Sequence, residues 1–219
     1  MKWLDRLERK FGHLAIRGLM TYIVSGNLIV FLLDELLNMS VTSKLVLVPS
    51  LVLKGEVWRL VSYIFIPPSS SILWILFALY FYYMVGSSLE HEWGSFRFNI
   101  YYLIGMLATT VAAFITGRGS TAAYLNLSLF LAFAHLYPNF EILLFFFIPV
   151  KIKYLAWLEL AFIAYTVIVA PVPSKVAALA SVVNFLVFFG KDFIDRLNMR
   201  RQVYRNRKRF FREIRGGRQ

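Results

Sequence analysis

Few residues of this 219-residue chain could do covalent chemistry. There is no cysteine, so thiolate nucleophiles, disulfides and cysteine metal sites are excluded. Only three histidines occur, His13, His91 and His135, and none follows residue 135. A serine hydroxyl is a poor nucleophile until a neighbouring base takes its proton. Ser128 and Ser181 are the serines of interest, because each lies within a long apolar stretch. On one helix, Ser128 and His135 would stand about 10 Å apart, too far for proton transfer. No lysine lies inside an apolar stretch to form a serine–lysine dyad, and three scattered histidines do not make a metal site. Neither a metal nor another cofactor is expected. The other polar groups in apolar surroundings are Asn126, Glu159 and Asn184. His135 and Glu159 fall near facing ends of consecutive segments, so a buried polar pair between them is expected, as a structural hydrogen bond, a snorkelling contact or part of an ion path.

The elements that must position these groups are membrane spans. The chain is 59% apolar and 16% charged, against about 25% charged in soluble domains, and its mean hydropathy is +0.63. Six segments are expected to cross: about 20–37, 71–88, 98–116, 121–138, 154–170 and 175–190. Runs 45–53, 57–66 and 142–150 are apolar but too short to span and are broken by Pro49, Pro67, Pro68 and Pro149. They read as elements dipping into the interface, with Trp58 and Arg59 suited to the headgroup level. Residues 1–18 alternate charge with Trp3, Leu4, Leu7, Phe11 and Leu14 at helical spacing, which predicts an amphipathic surface helix and no removable signal peptide.

The expected organisation is therefore a surface helix (1–18), a six-span all-α membrane domain (19–191) and a basic tail (192–219). Lys and Arg are unevenly shared: 19 of 24 fall on the side of the N-terminus, 11 of them from residue 191 onward. The positive-inside rule then places both termini in the cytoplasm. A basic stretch just inside a membrane suits anionic headgroups, with RNA or ribosome contact as the less favoured reading of the +12 net charge. Spans two and three hold almost no ionisable group, which argues against a small transporter.

Four stretches carry a family resemblance. Trp58-Arg59 follows the first span. Gly86, Leu89, Glu90, Gly94, Ser95, Arg97 and Phe98 form a G-x-x-L-E-x-x-x-G-S-x-R-F pattern. Tyr101, Tyr102 and Gly105 open the third span, and Phe147-Ile148-Pro149-Val150-Lys151 precedes the fifth. In this order they resemble the rhomboid superfamily, which includes rhomboid proteases and derlins. The resemblance implies a six-helix rhomboid-like bundle with a membrane-dipping loop after helix 1. Glu90 and Arg97 are expected to tie neighbouring helices, and Gly86 and Gly94 to permit close approach or a tight turn.

A rhomboid protease would carry Gly-x-Ser-Gly at the start of span four, a histidine in span six, and asparagine and histidine on span two. Aligned without gaps, the nucleophile position is Ala123, with Thr121 and Tyr124 at the glycines. The span-two positions are Ala78 and Trp74, and the base position falls among Ser181 to Asn184. His135 is about 18 Å from Ala123 along one helix. The resemblance thus implies a rhomboid-like pseudoprotease, derlin-like in binding membrane helices of client proteins for quality control, trafficking or scaffolding. Client contact is expected near spans two and five and the 45–66 loop, where short elements thin the bilayer. A protease with a non-standard site, using Ser128 or Ser181, is the alternative, and a small transporter the second.

Overall fold

The computed structural model describes residues 2–68, 71–144, 148–190 and 199; the predicted basic tail, apart from Met199, lies outside them. Helix α1 (Lys2–Phe11) is followed by a single 3-10 turn (Gly12–Leu14). Gly18, in the left-handed conformation (φ 64°), turns the chain into α2 (Leu19–Leu37), where Asn38 (φ 50°) ends it. The predicted broken loop is a string of short pieces: α3 (Val41–Leu45), α4 (Pro49–Val52), α5 (Arg59–Ser62) and a 3-10 turn (Tyr63–Phe65). Asp34 accepts the backbone N–H groups of Val41 and Thr42 and so caps α3 from α2.

Arg59 overturns one expectation. It is turned into the loop and buried, 5% exposed, while Trp58 beside it is exposed. Its guanidinium donates to the carbonyls of Ser43 (3.1 Å) and Val46 (2.8 Å) and pairs with Glu56 at 2.6 Å. The short α3 leaves carbonyls without partners, and a five-donor side chain satisfies them from within the loop. Other bonds fasten the loop to the bundle. Asn27 on α2 donates to Ile64 O (3.0 Å), and Leu47 and Ser120 exchange backbone hydrogen bonds.

Four long helices and a shorter one complete the bundle: α6 (Ile72–Trp93), α7 (Ser95–Thr116), α8 (Ala123–Leu136), α9 (Ile152–Val169) and α10 (Val172–Gly190). Counting α2, five of the described helices are long and apolar enough to cross a membrane. The predicted fourth span is shorter than expected. At 14 residues α8 is about 21 Å long, against about 30 Å for a hydrocarbon core. Residues 121 and 122 remain in the turn before it and Pro138 follows its end. Half of its residues are buried, because α6, α7 and α9 pack around it and Leu131 meets Ile163 of α9 and Ala178 of α10. A helix apolar on all sides suits that central place.

Two further expectations change. The stretch between the expected second and third spans (71–88 and 98–116) is almost entirely helical, with α6 running on to Trp93 and Gly94 (φ 82°) alone making the break before α7. The short apolar run 142–150, expected to be too short to cross, is extended in its described residues. Its described residues form a hairpin, β1 (Glu141–Leu144) against β2 (Ile148–Lys151), antiparallel with Glu141 opposite Lys151. Pairing satisfies backbone groups that an irregular apolar segment would leave open.

At Gly86 the absence of a side chain on α6 leaves room for Met20 of α2. A Cβ there would lie 1.9 Å from Met20 Cγ. Gly86→Leu is therefore expected to lower the thermal midpoint in detergent by the equivalent of about 1–3 kcal/mol. Met20→Ala in the same chain should recover most of that loss; an unchanged midpoint in the single variant would count against this contact.

Candidate functional site

The centre of the bundle is polar at one point. Ser128 on α8 is fully buried, and Tyr101 of α7 and Asn184 of α10 close on it. The Tyr101 hydroxyl donates to the Ser128 carbonyl at 2.9 Å and lies 2.6 Å from the Ser128 hydroxyl. Asn184 Nδ2 donates to Ser128 Oγ at 3.0 Å. With the tyrosine proton on the carbonyl, the serine proton goes to Tyr Oη and the amide occupies a serine lone pair. Gly105 makes room for this arrangement: a Cβ on it would stand 2.2 Å from Leu125 Cδ1 and 2.9 Å from Asn184 Nδ2. Sequence reasoning marked Ser128 and Asn184 as isolated polar groups and missed Tyr101 as their partner. The only hint was polar residues at buried depths on three segments.

Ser181, the other serine considered, donates to Ala178 O of its own helix at 2.8 Å. Ala123 stands at the first turn of α8, with Trp74 and Ala78 on α6. Among these, Ala123 borders a cavity of about 970 Å³ that lies between α6, α8, α9 and residues 66–68. Phe77, Phe81 and Tyr82 of α6 form one wall and Leu155, Leu158 and Phe162 of α9 the other, with Asn126 on α8 between them. Leu158 and Phe162 are also 68% and 60% exposed, so the cavity opens on the apolar flank of the bundle.

The expected His135–Glu159 pair does not form. The His135 ring packs against Phe185 and Phe189 of α10, at 6.0 and 4.8 Å between centroids. Glu159 turns instead to the cavity; it is 8% exposed, and neither carboxylate oxygen has a hydrogen-bond partner. Position on consecutive segments said which helices are neighbours, not which faces they share.

Glu90 and Arg97 also find other partners than each other. Glu90, in the last turn of α6, accepts the Gly18 N–H (2.8 Å) and the Ser95 hydroxyl (2.6 Å). It thereby ties the start of α2 and the start of α7 to the end of α6. Arg97 reaches α1 and pairs with Asp5 and Glu8, both at 3.0 Å. The acidic side of α1 is thus fixed to the start of α7. Pro149 stands opposite Leu143 in the hairpin, and Lys151 lies 3.7 Å from Glu141.

A family model described as the rhomboid domain matches residues 54–194, well over half of the chain. No curated protein matches it.

The Ser128 cluster generates a direct test. Buried polar contacts between membrane helices contribute about 0.6 kcal/mol on average and about 1.7 at most. A double-mutant cycle of Ser128→Ala with Asn184→Leu, read by unfolding in detergent, is expected to give a coupling energy in that range. Strict additivity would show that the two side chains are not held together.

Proposed function

The chain belongs to the rhomboid family, and on that footing we propose that it is a rhomboid-fold membrane protein without protease chemistry. Its work is to bind transmembrane segments of other proteins, in quality control, trafficking or scaffolding. The observation that carries this reading is the cavity between α6 and α9, apolar on both walls and open on the flank of the bundle. A helix about 10 Å across filling 970 Å³ would occupy about 12 Å of length, or about two turns. Ala123 rather than a serine borders the cavity, and sequence leaves α10 without a histidine. The hydroxyls of Ser128 and Ser181 are both engaged in hydrogen bonds within the bundle. These features support binding in place of cleavage.

The stretch Phe147 to Lys151, similar to one common in bacterial rhomboids, supports a bacterial inner membrane, and the uneven distribution of Lys and Arg supports both termini in the cytoplasm. In that orientation α1, fixed to α7 through Arg97, lies at the cytoplasmic surface, and the basic stretch beyond residue 191 meets anionic headgroups.

Two experiments test this. With a photoreactive residue at Phe81 or Phe162 in proteoliposomes, a single-span test protein should crosslink and remain full length, while the same residue at Leu107 on the outside of α7 should not capture it. Serine-dependent cleavage, or fluorophosphonate labelling lost in Ser128→Ala or Ser181→Ala, would instead establish the protease. Orientation is readable because the chain has no cysteine of its own. In whole cells with the outer membrane permeabilised, an impermeant maleimide should label Arg118→Cys and spare Glu92→Cys; the reverse pattern would invert the topology.

A further inference from the structure

The cavity is lined by apolar side chains, by the neutral polar residues Tyr82, Thr121 and Asn126, and by one acidic residue that nothing in the bundle accounts for. Among the described residues that line it, Glu159 alone is charged, and no lysine, arginine or histidine faces it there. It is more than nine-tenths buried, yet both oxygens lack a hydrogen-bond partner. Buried acidic groups in proteins are normally paired, and an ionisable group within a membrane span is costly to keep unpaired. The neighbouring polar residues do not fill the need. His135 packs on the aromatic face of α10, and Tyr101 bonds to Ser128. Glu159 is itself one of the residues that line the cavity.

Resting on the reading that a client helix enters between α6 and α9, we infer that Glu159 selects clients carrying a lysine or arginine within their transmembrane segment. Such a helix has the converse problem. Its cation lies in hydrocarbon with donors and no acceptor, whereas Glu159, ionised beside that cation, offers two acceptors and no donor. Entry would bring the two together while the apolar faces of the helix meet Phe77, Phe81 and Phe162. The carboxylate lies on the eighth residue of α9, about 10 Å along its axis, so selection depends on the depth of the cation as well as its presence.

The probe is a 21-residue Leu/Ala helix in proteoliposomes with one guest residue, Leu or Lys, at three depths. Capture is read from a photoreactive residue at Phe162. The Lys guest at the depth of Glu159 is expected to crosslink about tenfold more than the Leu guest, the range of a hydrogen bond to a charged group. Glu159→Gln should bring capture of the Lys guest down to that of the Leu guest, and a thermal midpoint in detergent no lower than that of the native chain shows that the variant is folded; Glu159→Asp should keep part of the preference. Equal capture of Lys and Leu guests by the native chain, or a preference that survives Glu159→Gln, overturns this inference and leaves helix binding standing. Capture of lipid alone, with no guest helix at any depth, removes both.

Discussion

A serine hydroxyl withdrawn from both lipid and water holds the middle of this bundle together. Ser128 receives Tyr101 from α7 and Asn184 from α10, so three helices meet at one buried polar point. In hydrocarbon a polar group without a partner has no solvent to turn to, which makes such a cluster specific about register even where its net contribution is small. The arrangement requires Gly105, since any side chain there would enter the space of Leu125 and Asn184. It also requires α8 to lie at the centre.

That central place shapes the rest. Because α8 is short, the space near its first turn is not filled by the helix itself but bounded by α6, α9 and the loop end at residues 66–68. The loop is held by Arg59 and by its backbone bonds to the connection before α8, so it forms a fixed edge. At the other end of the bundle, Glu90 ties the starts of two helices together and Arg97 holds α1. Both ends are fastened while α6 and α9 face each other across the cavity. On the function proposed above, the frame is rigid where helices must keep register and open where a guest helix would enter.

Much of this was legible in the residues. The spans, their order, the broken character of the first loop and the close approach at Gly86 follow from apolar length, proline placement and a glycine facing a neighbour. The partners of charged groups were not. Glu90 and Arg97 are seven apart, which suggested a local pair, but each satisfies helix ends or acids distant in the chain. The run 142–150 lacks the length that separates strand from helix, and only the pairing of Glu141 with Lys151 decides it. Likewise the cavity is made by faces of α6, α8 and α9 that no single segment reveals.

The central claim is that a membrane helix binds intact between α6 and α9. The most direct measurement uses a chain carrying Phe81→Cys and Phe162→Cys, with a fluorescent single-span helix in proteoliposomes. Binding and helix length are followed before and after the two thiols are joined by a bismaleimide. The account predicts binding of a full-length helix that is lost when the cavity is bridged. Cleavage of the helix, or binding unaffected by the bridge, would contradict it.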